Sequence, residues 1–433
     1  MAFISCVFPI SIFTLPLGAD DVTGVQAPFS GKSLEEYLRR ANEANPNLRA
    51  FENRYESAMQ RIPQAGTLPD PRIQITSFVE PVQTRTGSQE NAIMIAQMVP
   101  WFGKLDQQRA AASAEAEALW HMFQTRQLML ARDVSVAFFE YGYIGKSIEL
   151  TGENLDLLRR LKPIVEDRVR GGGDVNPLLR LRVEIGKIDD HVKSLEQKRG
   201  AQSARLDGLL ARMANNPLPW PEWDAPESKG LDSRTLVNAL EANNPELAML
   251  DRKIASAQAR RELARLGNRP DVTLGVNYIQ LDPYAVPTSS DAGHDPWGVV
   301  IGFNVPIWGA RNEAVRAEAK SAHSASVYER RDRANMLKAE LSARLANLDN
   351  ANRQLKLYGE ELLNLARQAL DITRTSYESG RATILDVIDC ERSLLELQLE
   401  YWRAAADAWQ NRIIIQILVN QPIAGTFTPT SSR

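Results

Sequence analysis

The sequence predicts a mainly α protein with a small β part, written as two copies of one pattern: helix, strand, strand, very long helix, tight turn, helix. Three observations lead there. Ala, Leu, Glu, Arg and Gln, the helix-forming set, dominate the chain, whose mean hydropathy is −0.31. Two stretches of nearly seventy residues run almost free of proline and glycine. Pro and Gly recur in register between the halves, which chance similarity of two helical segments would not produce.

The elements follow in chain order. The N-terminus "MAFISCVFPISIFTLPLGAD" reads as a signal peptide over residues 1–19, although no Lys or Arg precedes Lys32 and Leu17 is large for a cleavage site. The first repeat is expected over 20–213 and the second over 231–420. A linker at 214–230 should lie against the outside of the rods, and a tail covers 421–433. Each repeat opens on a helix, Ser33 to Ala65 and Leu231 to Leu266. Asn45-Pro46 matches Asn244-Pro245, and Pro71 matches Pro270, both at an offset of 199.

Strands come next. Arg72 to Glu80 alternates Ile73, Ile75, Ser77 and Val79 against Gln74, Thr76 and Phe78; Asp271 to Gln280 alternates Val272, Leu274, Val276 and Tyr278 against Thr273, Gly275, Asn277 and Ile279. Such alternation predicts strands with two unlike faces. The return strands, Asn91 to Val99 and Trp297 to Val305, each end at a Pro that cannot extend a ladder, Pro100 and Pro306. All four have about the 9–11 residues a tilted strand needs to cross hydrocarbon. "VPWFG" and "VPIWG" then repeat at an offset of 206, so the second copy has seven more residues between its strands. Trp101, Phe102, Trp297 and Trp308 suit the level where lipid meets water, or alternatively a packed strand–helix corner.

The long helices run from Lys104 to Arg170 and from Asn312 to Ser379, rods of about 100 Å. No compact domain is that long; a coiled coil or helical tube is implied. Helices of about forty residues follow, Val175 to Ala214 and Ala382 to Asn420. One long rod thus matches two shorter ones end to end, the arithmetic of a cylinder wall. The reversals fall at Gly171, Gly172 and Gly173 and at Gly380, expected in the left-handed conformation where a helix stops. Gly173 and Gly380 match at an offset of 207.

Function classes can be excluded by what is missing. Net charge is −3, too little basic field for nucleic acid. Cys6 and Cys390 stand apart, and His121, His191, His294 and His323 share no metal-ligand spacing. Gly171 to Gly173 lack the Lys-Ser/Thr of a nucleotide cradle. No catalytic residues, metal site or cofactor are expected. No run reaches the roughly 18 apolar residues of a membrane helix, so a membrane crossing would be made by strands.

Two copies of this order, Pro69-Asp70-Pro71 before the first strand, and "YESGRATILDVID" (Tyr377 to Asp389) resemble the TolC family of outer-membrane efflux proteins. The resemblance covers about residues 33 to 420, and "PWFGK" looks closest to its heavy-metal or cation branch. It implies a homotrimer with a twelve-stranded barrel in outer-membrane lipid, four strands per protomer, and a long periplasmic helical tube. It implies a passive exit duct whose partners are a periplasmic adaptor and an inner-membrane pump. The glycine turns become the tube's tip, where the adaptor docks. Asp386 and Asp389, three apart on one helix face, become stacked carboxylate rings that close and select, with Tyr377 and Arg381 beside them. Arg381 lies one position before the family's Arg, and Ala382 stands at that site. Without the resemblance, a soluble coiled-coil scaffold capped by two hairpins fits the residues too, with the two aspartates on a solvated helix face.

Overall fold

The computed structural model describes residues 31–213, 218–227, 230–282 and 294–421. The expected signal peptide, nearly all of the tail and parts of the linker lie outside them. The first half runs α1 (Leu34–Ala44), α2 (Pro46–Ala65), β1 (Arg72–Thr84), β2 (Gly87–Val99), α3 (Lys104–Arg170) and α4 (Asn176–Leu209). The second runs α5 (Ser233–Asn243), α6 (Pro245–Leu266), β3 (Val272–Asp282), β4 (Trp297–Phe303), α7 (Gly309–Lys356), a π turn (Leu357–Leu362), α8 (Leu363–Glu378) and α9 (Ile384–Val419).

The single helix expected at the head of each repeat is in fact two. Asn45 and Asn244 break it, because the following Pro forces its predecessor out of the helical region and then serves as the first residue of the next helix. Each Asn does two jobs. The Asn45 side-chain oxygen accepts from the N–H groups of Asn47 (2.9 Å) and Leu48 (3.4 Å), while its amide donates to the Leu209 carbonyl (3.2 Å). Asn244 repeats this with Glu246, Leu247 and, at 2.9 Å, the Leu418 carbonyl. One side chain thus caps the start of α2 or α6 and holds the end of α4 or α9. That junction stacks two short rods end to end along a long one. Near the sheet the rods lie in the order α2, α3, α6, α7; away from it the order is α4, α3, α9, and α7 continued by α8.

The linker crosses this arc as a strap. Leu218 is fully buried, and the Tyr141 hydroxyl donates to its carbonyl (2.6 Å). Trp220 lies on Tyr141 and would collide with any side chain at Gly145, whose Cβ would stand 2.8 Å from the ring. Trp223 occupies the space over Gly142 and meets Phe139 and Trp402. Trp409 and Arg412 of α9 donate to the carbonyls of Asp224 and Glu227. The two small glycines of α3 are therefore the seat of the strap, a role not visible in the sequence pattern.

The second long rod departs from an unbroken helix. Ala334, Leu341, Leu348 and Leu355 are buried at intervals of seven, as are Leu363, Leu370 and Tyr377, but Leu355 and Leu363 are eight apart. That is one residue more than the seven-residue spacing on either side. The π turn absorbs it, and the buried stripe stays in phase on both sides.

All four strands join in one antiparallel sheet, ordered β1-β2-β3-β4. The first hairpin is longer than expected: β1 and β2 run on to a two-residue turn at Arg85-Thr86. Polar residues and Pro81 mask the alternation there. Pro81 is tolerated because β1 is an edge strand, and the register slips between Ser77 and Val82.

Candidate functional site

Three places carry the candidate functional residues: the sheet, the corner beneath it, and the far tip. On the sheet, the register sets apolar residues side by side across all four strands. Ile73 pairs with Ile95, Ile95 with Val276, and Val276 with Val299; Ile75, Ile93, Tyr278 and Trp297 form the next row, and Leu274 faces Ile301. This face is open: Ile75 is 71 %, Val299 65 % and Ile301 60 % exposed. The opposite face carries Gln74, Met94, Asn277 and Gly298 in one row and Ala96, Gly275 and Val300 in another, mostly small or polar. A bilayer-crossing barrel needs this division, apolar outside and polar inside. The aromatics mark two levels. Trp297 and Tyr278 pair at one end, while Phe303, Trp308 and Phe102 are exposed at the other, about 20 Å along the strand.

At the corner, Pro100 and Pro306 stop the strands, and Gly103 (φ +82) turns the chain into α3. Trp101 is half-buried, unlike Phe102, Trp297 and Trp308. Its N–H donates to Asp271 Oδ1 (2.8 Å), which also receives Lys104 Nζ (2.7 Å). Lys104 donates in addition to the Arg269 carbonyl (2.9 Å), and Asn304 holds Asp271 through both its side-chain and main-chain groups. Lys104 and Asp271 are only 12 % and 16 % exposed. These residues lock the base of one hairpin to the base of the other. Sequence reading noticed the repeated corner but missed the clamp, whose partners lie 167 positions apart.

At the tip, only Gly172 (φ +95) and Gly380 (φ +74) take the left-handed conformation expected of all four glycines. Gly171 has φ −78. Gly173 is needed for a different reason: a Cβ there would sit 2.9 Å from the Arg168 carbonyl oxygen, which accepts the Gly173 N–H (3.0 Å). Asp386 and Asp389 are both exposed near the start of α9, on the face the i, i+3 spacing predicts. Asp386 has an additional duty. It closes a capping box, accepting from the Thr383 N–H (2.7 Å) and hydroxyl (2.8 Å), which hold its carboxyl below the usual range. Asp389 is freer, with Arg392 at 3.5 Å. Tyr377 and Arg381 do not join them. The Tyr377 ring is buried beneath the Arg168 guanidinium (4.2 Å), and Arg381 Nε bonds back to Ser379 (3.0 Å). What binds α8 to α9 instead is Arg374–Glu391 (2.5 Å), with Glu391 buried and its carboxyl pushed up by burial, against the pull of Arg374. Arg392–Glu184 (3.2 Å) joins α9 to α4 across the repeats.

Between sheet and tip, the arc of rods encloses a groove of about 1220 Å³, lined by α2, α3, α6 and α7 residues such as Gln108, Met122, Lys253 and Glu318. Among the described residues, no helix is long and apolar enough to cross a membrane, which says nothing of the strands.

A two-faced sheet standing on an arc of rods is also the fold of solved outer-membrane proteins. The crystal structure of the outer membrane protein VceC from Vibrio cholerae superposes with a TM-score of 0.75 at 18 % identity, over 90 % of this chain and 96 % of that one. In sequence, residues 236–420, nearly the whole second repeat, match the model of the outer membrane efflux protein family. The family resemblance read from the residues is thereby borne out. Among relatives, "Probable outer membrane lipoprotein SilC" of Salmonella typhimurium is 25 % identical, over 69 % of this chain and 65 % of its own length. Cobalt-zinc-cadmium resistance protein CzcC of Cupriavidus metallidurans is 22 % identical over 87 % of each. An outer-membrane location, with the helices on the periplasmic side, agrees with these relatives and with the fold.

Proposed function

We propose that the chain is one third of a passive exit duct: a homotrimer that conducts solutes from periplasm to exterior when docked to an adaptor and an inner-membrane pump. The observation that carries the reading is the exposed apolar face in register on a sheet with two open edges. An edge left unpaired in lipid strands its N–H and C=O groups, at several kcal/mol each. Pairing β4 of one copy with β1 of the next removes every edge, and three copies give twelve strands. Below the membrane, two apolar stripes also lack partners. Val175, Leu179 and Val183 at α4 and Leu365 and Ile372 on α8 are each about half or more exposed. A neighbouring copy would cover both. At the tip, Asp386 and Asp389 from three copies make carboxylate rings that gather cations at the aperture, and the turns at Gly172 and Gly380 are the surface an adaptor meets. Selection of solute then lies in the pump; the metal-resistance name of CzcC supports a cation system as the setting.

A soluble scaffold is not favoured, because its hairpins would hold a four-strand face of Ile, Val, Leu and Trp in water. Fractionation with single-channel recording tests the proposal. An SDS-labile trimer in the outer-membrane fraction that conducts K⁺ supports it; a monomer in the soluble fraction defeats it.

A further inference from the structure

We infer that the π turn at Leu357–Leu362 is a register slip built into the second rod, which lets α8 shift against α9 when the tip opens. The inference rests on the duct reading above. Four observations carry it. The extra residue is unnecessary for packing: Leu355 and Leu363 would keep the same phase at a spacing of seven with no π turn. None of the six residues in the turn is fully buried, and the contact that seats the turn is that of Gly359 with Tyr401. It occurs in one rod only, since α3 is helical without a break over 67 residues. Its position is a boundary. Gly359 lies against Tyr401, where a Cβ would stand 2.9 Å from the ring; Tyr401 touches Trp402, and Trp402 touches Trp223 of the strap. On the sheet side of the turn, the strap fixes the rods. On the tip side, α8 and α9 share an apolar cluster with α3 and α4 and are tied to each other by Arg374–Glu391 and by Thr373 with Cys390.

A wide turn with α-helix on both sides can hand its extra residue along the rod. Each step advances the segment passed over by one residue, about 1.5 Å along the axis and 100° around it. Such a step re-registers the face of α8 on α9 without breaking the helix. Arg374–Glu391 holds the resting register.

Deleting Glu360, an exposed residue of the turn, should leave a continuous heptad rod. The deletion trimer is expected to assemble normally and to show the wild-type resting K⁺ current in planar bilayers. Arg374→Ala, which loosens the tip, should raise mean K⁺ conductance about tenfold in the wild-type background. In the deletion background it should raise it little or not at all. Deleting Glu361 should act alike, because the slip belongs to the turn and not to one side chain. Equal opening in both backgrounds overturns the inference, and so does failure of both deletions to assemble, which would make the extra residue a packing need. A wild-type trimer that never conducts overturns the duct reading and this inference with it.

Discussion

Val276→Arg places one guanidinium at the centre of the apolar face, in the row Ile73, Ile95, Val276, Val299. The β3 strand has 11 residues, about 36 Å of chain at 3.3 Å each; a tilt near 45° brings this to about 26 Å, close to the apolar height of such barrels. Val276 lies near the middle of it. An Arg at that depth costs about 2–4 kcal/mol, a factor of roughly 30 to 900 in the assembly equilibrium per chain. A trimer contains three, on the order of 6–12 kcal/mol if the costs add. The control is the next residue. Asn277→Arg puts the same charge on the opposite face, beside Met94 and Gly298, where lumen water can solvate it. Heat-modifiable trimer on gels, with membrane fractionation, reads both. The trimer should disappear for Val276→Arg and persist for Asn277→Arg. The reverse outcome would mean that the faces are assigned backwards, and indifference to both would remove the sheet from lipid.

Lys104→Met leaves Asp271 in a nearly dry corner with only Trp101 and Asn304 for company, and should cost about 2–3 kcal/mol; Asp271→Asn in the same chain should recover part of it in a chemical-denaturation cycle. Asp389→Ala should weaken cation preference and divalent-ion block in single-channel recordings without disturbing α9, whereas Asp386→Ala should also fray the first turn of α9, seen by hydrogen exchange. The two tip carboxyls respond to pH with opposite signs. Asp386, whose value is lowered, contributes stability above the ordinary Asp range, and this is lost as pH falls through its folded value. Glu391, whose value is raised, contributes stability that is full below the ordinary Glu range and is lost as pH rises through its folded value. Thr383→Val, which keeps the main-chain N–H and removes only the hydroxyl, should weaken the first dependence, and Glu391→Gln should abolish the second, read as amide exchange in α9 against pH. Gly145→Val should lift Trp220 off Tyr141 and shift tryptophan fluorescence to the red, leaving secondary structure unchanged.

The repeat, the long rods and the strands were legible because each is a matter of period: Pro and Gly at fixed offsets, alternation by two, absence of breakers. The split at Asn45 and Asn244 was visible as Asn-Pro in both halves, yet its effect depends on the buried carbonyls of Leu209 and Leu418, which no local pattern announces. The π turn is written as the spacing of eight from Leu355 to Leu363, a signal that needs the buried stripe before it can be placed. At the tip, spacing put Asp386 and Asp389 on one face. It did not reveal that Asp386 serves its own helix, or that Tyr377 turns inward beneath Arg168. The Lys104–Asp271 clamp joins residues from different repeats, and only the folded arc brings them together.

The pairing of β2 with β3 imposes a delay on manufacture. β2 is complete at Val99, but the strand it must lie against begins at Val272. At synthesis rates of about 5–20 residues per second, the first hairpin waits on the order of ten seconds or longer for its neighbour. Throughout that interval its inner edge is a bare template on which any passing extended chain could add. A carrier that shields this one ribbon between ribosome and bilayer would protect the step at which the whole molecule is most easily lost.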